Sequence, residues 1–363
     1  MNNSLIIIGE TILRNKPFMD YITKTLEKHI GHFDSVKILN KNDNDFFIKL
    51  EDCLNRYRQS IMLIHKDSFN FVNKIVATIN EDTLELKDNM LIPSKAVLYS
   101  ENSYLLQLGK NVINVLSVLE NEKLPDVLVE DMDSSKSFAI IDIDIDSIKL
   151  LLEPIASTYE INIVATPIVD GWIEISAIAC KYGNLENFIK AVKSLFVGKF
   201  IENKDIIEHI LQRLETDEKR LTAVESCTGG LISSLITKHA GASNVFDGGL
   251  VSYSNNIKES WLGVNKEVLQ TYGAVSEPCV DQMLEGALLT SGADFALATS
   301  GIAGPSGGTD EKPVGTVFVG VKAKDKEAKV ERLSLRGDRQ YIQMQSALYA
   351  FKMLLQIDKK LFF

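Results

Sequence analysis

The residues best suited to chemistry in this chain lie in the segment VESCTGG, residues 224–230. An apolar run, 221–224, precedes the turn, and apolar residues at helical spacing follow the segment. This pattern predicts a strand, a sharp turn through small residues and the start of a helix. Backbone N–H groups at a helix N-terminus can bind an anion or stabilise a developing oxyanion. We therefore consider Ser226 a candidate nucleophile, with the N–H groups of 227–230 as a candidate oxyanion site.

A serine hydroxyl needs a base to take its proton, and the histidines fit that role poorly. His209 and His239 stand away from the glycine turns, so a Ser-His-Asp triad is poorly supported. Tyr253 at a strand end and Lys258 in the next helix could reach one pocket. Lys258 could act as the base if burial lowers its pKa, and Tyr253 could donate or relay a proton. The sequence leaves open which of the two takes the first proton.

The remaining candidates for ligand binding lie in glycine-rich turns and at a helix start. The loop GIAGPSGG, 301–308, and an arginine before the last long helix could together hold a phosphate. The candidate binding residues are Thr228, Gly229, Gly230, Gly301, Gly304 and Arg339. Together the candidates suggest metal-free, cofactor-free hydrolysis of an amide on a phosphorylated small molecule.

Taken singly, each candidate has a simpler structural interpretation. Ser226 could be a helix N-cap, Lys258 a surface residue and the loop 301–308 a tight turn. Cys227 lacks a histidine partner, so it is predicted to be a small packed residue and not a thiol nucleophile.

The elements that must position these residues follow an α/β pattern. With 363 residues, the chain has room for two or three domains. We predict three: an α/β domain over 1–130, a small α+β domain over 134–202 and an α/β domain over 204–363. The last domain carries all of the candidate residues.

Composition restricts the classes of partner and compartment. The net charge of −10 argues against general binding to nucleic acid or to anionic membranes. The sequence has no apolar run long enough for a membrane span, and its first residues lack the features of a signal peptide. The four cysteines form no C-x-x-C pair, which argues against zinc and disulfides. We therefore expect a cytoplasmic protein.

The middle region contains a strictly alternating segment, IDIDID, at 141–146. The alternation predicts a half-buried strand whose aspartates form a solvated face and not a cation site. The surrounding module resembles a K-homology fold. It lacks the basic G-x-x-G loop of the nucleic-acid-binding members, so we expect a spacer or subunit-contact role.

Five segments, in order, resemble the C-terminal domain of the competence/damage-inducible protein CinA family. They are VESCTGG, YSN at 253–255, GAVSEP at 273–278, GIAGP at 301–305 and KPVGTV at 312–317. The resemblance implies a nicotinamide mononucleotide deamidase, which yields ammonia and nicotinate mononucleotide for NAD salvage. It implies Ser226 as nucleophile, Tyr253 and Lys258 as acid/base partners, and Arg339 as a nucleotide ligand. Family members often carry a second arginine where this chain has Gln343, which implies weaker or differently arranged phosphate binding.

The first region resembles the family's molybdopterin-binding-like domain, which is associated with ADP-ribose pyrophosphatase activity. The segment IIIGETIL, 6–13, is similar to a worn copy of that domain's opening motif. The family's glycine-rich loop should follow Ile64, but 65–69 reads HKDSF, and a later Pro-Gly-rich loop is replaced by LSVLE at 116–120. We expect the fold to persist without the pyrophosphatase site, and by family analogy we expect a homodimer.

Two alternatives to the deamidase stay open. One is a non-catalytic interaction protein in competence or the DNA damage response, in which the fold only binds. The other is an amidase that acts on a different small molecule, and Gln343 is the residue that leaves this possibility open.

Overall fold

The computed structural model of the chain describes residues 3–30, 33–129, 135–203 and 205–363. By its internal contacts the chain divides into two compact units, Met1–Asp133 and Ser134–Phe363. Both combine helices with β-sheets, which confirms the mixed α/β class. The predicted boundaries at 130, 134 and 204 lie outside the described residues.

The first unit is built on a six-stranded sheet with the order β2-β1-β3-β8-β7-β6. Strands β1, β2, β3 and β8 pair in parallel, whereas β7 is antiparallel to β8 and β6. The elements are β1 Asn3–Ile8, α1 Glu10–Arg14, α2 Lys16–Ile30, β2 Ser35–Leu39, α3 Phe46–Arg56, β3 Gln59–His65, α4 Phe69–Ile79, the hairpin β4 Leu84–Lys87 and β5 Met90–Pro93, β6 Leu98–Ser100, β7 Ser103–Leu108 and β8 Asn111–Val118.

Strand β1 shows why the apolar run near the N-terminus predicted a central strand. Leu5 and Ile7 pack with α2 in one apolar cluster, and Ile6 and Ile8 pack with α3 and α4 in another. A strand covered on both faces requires apolar residues at consecutive positions. At the end of β3, the Nδ1 atom of His65 accepts a hydrogen bond from the Asp67 N–H at 3.3 Å, so His65 serves as a local cap.

The second unit begins with a four-stranded antiparallel sheet of order β10-β11-β9-β12. Its elements are β9 Ser135–Ile141, α5 Ile145–Thr158, β10 Ile161–Val169, β11 Trp172–Ala179, α6 Leu185–Leu195 and β12 Phe200–Ile201.

The predicted strand over 141–146 is wrong. Strand β9 ends at Ile141, Asp142 has a left-handed φ of 61°, and helix α5 begins at Ile145. The Asp144 carboxylate caps that helix by accepting a hydrogen bond from the Ser147 N–H at 2.9 Å. Aspartate binds its own neighbouring backbone in this way more readily than it continues a strand, so the alternation was misleading.

The rest of the second unit forms a five-stranded sheet of order β14-β13-β15-β16-β17. Strand β13 lies between β14 and β15 and is parallel to both, whereas β16 and β17 continue the sheet antiparallel. The elements are α7 Ile206–Thr216, β13 Leu221–Glu225, α8 Leu231–Thr237, β14 Phe246–Val251, α9 Asn255–Leu262, α10 Lys266–Thr271, α11 Glu277–Ser291, β15 Phe295–Gly301, β16 Thr316–Ala323, β17 Lys329–Ser334, α12 Arg339–Ile357 and α13 Lys359–Phe362.

One apolar cluster joins the two sheets of the second unit. Ile141 and Trp172 from the first sheet pack in the same core as Phe351 and Leu354 of α12. This shared core explains why 135–203 and 205–363 form one compact unit. The separation of this unit into two domains stays a prediction from the sequence.

We expect the substitution Phe351→Ala to lower the free energy of unfolding of the second unit by about 3–5 kcal/mol, because the ring is fully buried in that core. Both tryptophans of the chain, Trp172 and Trp261, lie in this unit, so their fluorescence during urea unfolding reports on it. The control Leu150→Ala removes a side chain that is 75% exposed, and we expect a change below about 0.5 kcal/mol. Equal losses in the two variants would contradict the importance of this core.

Candidate active site

The turn after β13 is organised by the buried side chain of Glu225, which is 0% exposed. Its carboxylate accepts hydrogen bonds from the N–H groups of Gly230 at 2.9 Å, Ile232 at 3.0 Å and Ser233 at 2.9 Å. It also accepts from the hydroxyls of Thr228 and Ser233, both at 2.8 Å. The carboxylate thus supplies the acceptors that the first turn of α8 lacks, and its negative charge suits the positive end of the helix dipole.

The backbone of the turn needs glycine at its end. Gly229 and Gly230 have φ values of 64° and 99°, in the left-handed region that other residues rarely adopt. Ser226 is anchored because its N–H donates to the Thr299 carbonyl at 3.0 Å. In the described parts of the chain, no backbone carbonyl accepts the N–H of Cys227 or Thr228. These two groups are therefore candidates for contact with a ligand.

Lys258 lies against the candidate nucleophile. Its Nζ donates to Ser226 Oγ at 3.0 Å and to the Ser252 carbonyl at 2.5 Å. The lysine side chain is 1% exposed, and burial lowers its pKa below that of an ordinary lysine. It stands in the first turn of α9, which Ser254 caps by accepting from the Ile257 N–H at 3.3 Å. The predicted interpretation of Lys258 as a surface residue is therefore wrong.

Cys227 is a packed residue, as the sequence predicted. It is buried within the large apolar cluster of the second unit. Burial raises the pKa of its thiol to about 12, so the thiolate required of a cysteine nucleophile is disfavoured. Ser226 is therefore favoured over Cys227 as the candidate nucleophile of the turn.

A cavity of about 260 Å³ opens in front of Ser226. The candidate residues that line it are Ser226, Tyr253, Lys258, Gly301, Gly304 and Arg339. Its lining also includes Ala274 and Val275 of the GAVSEP segment, Ser306 of the loop 301–308, and Ser300, which the sequence did not single out. Thr228, Gly229 and Gly230 are outside the lining, because Thr228 turns its hydroxyl to Glu225 and to Thr299 at 2.7 Å and the glycines shape the backbone.

The loop after β15 reaches the cavity because β13 and β15 are adjacent parallel strands. Their carboxyl ends meet at the same edge of the sheet, where ligands of open α/β sheets bind. Gly301 is needed for close approach: a Cβ at this position would lie 2.7 Å from Val317 Cγ2 and 2.8 Å from Val317 Cα. Ser300 Oγ donates to the Ala274 carbonyl at 2.7 Å, which ties the loop to the segment before α11.

Arg339 connects two walls of the cavity. Its guanidinium donates from Nη1 to the Gly304 carbonyl at 2.8 Å and from Nη2 to Tyr253 Oη at 3.0 Å. A guanidinium has five N–H donors, so some remain for an anionic ligand. Tyr253 itself is 63% exposed and lies at the cavity mouth.

Gln343 lies outside this lining. Its Nε2 donates to the Cys227 carbonyl at 2.7 Å, so it contacts the turn that carries Ser226. Position 343 therefore contributes no side chain to the cavity of this chain.

Within the described ranges, no group of three or more His, Cys, Asp or Glu side chains is placed to hold a metal ion. Across those ranges, none of the helices is long and apolar enough to cross a membrane.

Comparison with known proteins identifies this region of the chain. Residues 203–357 match the model of the CinA C-terminal domain. The chain belongs to the CinA family. The match includes every residue that lines the cavity.

The relatives carry the same family name. A CinA-like protein of Thermotoga maritima is 48% identical over 153 residues, which are 42% of this chain and 37% of that protein. A putative competence-damage inducible protein of Thermoanaerobacter pseudethanolicus is 40% identical over 198 residues, 52% of this chain and 48% of that protein. The chain thus matches less than half the length of these curated relatives.

Solved structures of competence/damage-inducible proteins match a similar share of the chain. The competence/damage inducible protein CihA of Agrobacterium tumefaciens is 41% identical and covers 43% of this chain and 96% of its own, with a TM-score of 0.40. The competence damage-inducible protein A of Klebsiella pneumoniae is 34% identical and covers 42% of this chain and 94% of its own, with a TM-score of 0.41.

Sequence reasoning missed Glu225 and Gln343 as organisers of this CinA site. A signal for Glu225 was present, because an acidic residue before a glycine turn and a helix suits the helix N-terminus. The sequence carried no local signal for Gln343, whose contact is 116 positions away along the chain.

We expect Glu225→Gln to lower the free energy of unfolding of the second unit by about 1–3 kcal/mol, because an amide replaces one acceptor oxygen with a donor that faces other donors. Urea unfolding followed by tryptophan fluorescence measures the change. The matched control Glu259→Gln alters an exposed glutamate nearby and should leave stability within about 0.5 kcal/mol. Wild-type stability in Glu225→Gln would show that the five hydrogen bonds do not hold the turn.

Proposed function

We propose that this chain is a metal-independent amidohydrolase that converts nicotinamide mononucleotide to nicotinate mononucleotide and ammonia. The observation that carries the proposal is the buried pair in which Lys258 Nζ lies 3.0 Å from Ser226 Oγ. A serine paired with a lysine of lowered pKa is a known solution for amide hydrolysis without histidine. The choice of nicotinamide mononucleotide is supported by the CinA domain match and by the family resemblance of the five segments.

The chemistry follows from the contacts of Lys258. In its neutral form the amine takes the proton of the Ser226 hydroxyl while Oγ attacks the carboxamide carbon. The N–H groups of Cys227 and Thr228 are the candidates to stabilise the oxyanion. The protonated Lys258 then gives its proton to the amide nitrogen, the C–N bond breaks, and this nitrogen leaves as ammonia while an acyl ester remains on Ser226. Water attacks this ester with Lys258 again as base, which releases the acid and restores the hydroxyl.

The geometry favours Lys258 over Tyr253 as the base. Lys258 donates directly to Ser226 Oγ, whereas Tyr253 Oη accepts from Arg339 at the cavity mouth. We propose that Tyr253 contacts the substrate, as a proton donor or as another polar partner. Arg339 and the loop 301–308 are the proposed ligands of the phosphate.

An amidase that acts on a different small amide is the second candidate. The low positive charge of the cavity favours this candidate. Among the described residues that line the cavity, the cationic side chains are Lys258 and Arg339. Two of the Arg339 N–H groups already bind Gly304 and Tyr253. Turnover of nicotinamide riboside, which lacks the phosphate, as fast as that of the mononucleotide would favour this candidate.

The proposals for the whole chain rest on the sequence. We propose a first domain that keeps its α/β fold without pyrophosphatase chemistry, a K-homology-like second domain that acts as a spacer or subunit contact, and a cytoplasmic homodimer. A purified chain that binds a protein partner tightly and turns over no amide would favour the interaction protein of the competence or damage response instead.

We expect Ser226→Ala to reduce ammonia release from nicotinamide mononucleotide by at least about a thousandfold, because the Cys227 thiolate is disfavoured and the Thr228 hydroxyl donates to Glu225. Ammonia is measured with a coupled glutamate dehydrogenase assay on the full chain, without added metal. Ser260→Ala changes an exposed serine of α9 and serves as the control that keeps full activity. Full activity of Ser226→Ala would remove Ser226 as the nucleophile.

We expect kcat/KM to rise with pH until the Lys258 amine is deprotonated and then to level off below the pH at which an ordinary lysine titrates. The sign follows because the neutral amine is the active base and burial lowers its pKa. Lys258→Met should lose this rise and about 10²–10⁴ in rate, whereas Lys266→Met, at an exposed position, should keep both. A rise of kcat/KM with pH that Lys258→Met retains would exclude Lys258 as the base.

A further inference from the structure

The first turns of α12 contact the candidate site through one helix face. Arg339 and Gln343 are four residues apart, so their side chains lie next to each other on the helix surface. Arg339 binds Gly304 and Tyr253 at the cavity, and Gln343 Nε2 donates to the Cys227 carbonyl at 2.7 Å. One rigid element therefore contacts the ligand cavity and the nucleophile turn together.

The contact of Gln343 determines the orientation of a peptide group next to Ser226. The Cys227 carbonyl and the Thr228 N–H belong to the same planar unit and point in opposite directions in a trans peptide. The cis peptide of the described residues is at 304–305, so the 227–228 peptide is trans. Within the described ranges, no backbone N–H donates to the Cys227 carbonyl, and no backbone carbonyl accepts from Thr228 N–H. Gln343 is thus the side chain that fixes this peptide plane.

We propose that Gln343 is a positioning residue that orients the Thr228 N–H toward the oxyanion formed at Ser226. The proposal rests on the amide hydrolysis proposed above. Oxyanion donors act chiefly in the transition state, so loss of their orientation lowers kcat more than it changes KM. A residue that only stabilised the fold would alter thermal unfolding without this separation of the two constants.

The test compares variants that keep or remove the donor. Gln343→Met has nearly the same size and removes the N–H group, and we expect kcat to fall about tenfold with KM within about twofold of wild type. Gln343→Lys restores a donor and should recover part of kcat. Met344→Ala, one position along and partly exposed, is the control that keeps both constants. Wild-type kcat in Gln343→Met, or a loss confined to KM, would overturn the proposal.

A second readout separates this proposal from the choice of substrate. Phenylmethylsulfonyl fluoride transfers its sulfonyl group to a serine Oγ with loss of fluoride, and negative charge develops on a sulfonyl oxygen during the attack. Mass spectrometry gives the rate at which Ser226 is labelled. We expect labelling to be about tenfold slower in Gln343→Met and unchanged in Met344→Ala.

The outcomes of the two readouts are distinct. Labelling of wild-type Ser226 without ammonia release from nicotinamide mononucleotide would overturn the proposed substrate alone, and slower labelling of Gln343→Met would still support the positioning role. Equal labelling of wild type and Gln343→Met would overturn the positioning role, whatever the substrate. A wild-type chain that neither releases ammonia nor becomes labelled would overturn both.

Discussion

The candidate site depends on a carboxylate that is enclosed by the turn it organises. Burial of a polar group without partners is costly, and Glu225 avoids that cost because five donors surround it. Three of these donors are the backbone N–H groups that the start of α8 would leave unpaired. The carboxylate thus accepts hydrogen bonds from the N–H groups of Gly230, Ile232 and Ser233. Those of Cys227 and Thr228 have no backbone acceptor among the described residues and remain candidates for a ligand.

The sheet order converts this local arrangement into a cavity. Strand β13 is central and parallel to β14 and β15, so three carboxyl ends meet at one edge. Strand β13 leads to Ser226, β14 leads to Tyr253 and Lys258, and β15 leads to the loop 301–308. Helix α12 completes the cavity with Arg339, and the large apolar core that contains Phe351 keeps this helix in place. Catalytic candidates and core packing are therefore parts of one structure.

The parts of the fold that the sequence predicted are those with local physical causes. The strand, turn and helix around 221–236 follow from an apolar run, two glycines and helical spacing. The prediction of a strand at the IDIDID segment was wrong because Asp144 caps α5, and this cap outweighed the alternation. The contact between Lys258 and Ser226 joins residues 32 positions apart, and only the order of the strands decides it. Gln343 was noticed for its residue type, but its hydrogen bond to Cys227 depends on how α12 packs.

The two buried ionisable side chains beside Ser226 differ in how many hydrogen bonds they form. Glu225 accepts five hydrogen bonds, whereas Lys258 donates to two acceptors, Ser226 Oγ and the Ser252 carbonyl. With so few acceptors, burial disfavours the charged ammonium and lowers the pKa of Lys258. Further acceptors around Lys258 would stabilise its charge, raise its pKa and leave less of the amine neutral and able to take a proton. The two sets of contacts are therefore complementary. The hydrogen bonds of Glu225 fix the backbone of the turn, and the few hydrogen bonds of Lys258 keep a reactive amine at the Ser226 hydroxyl.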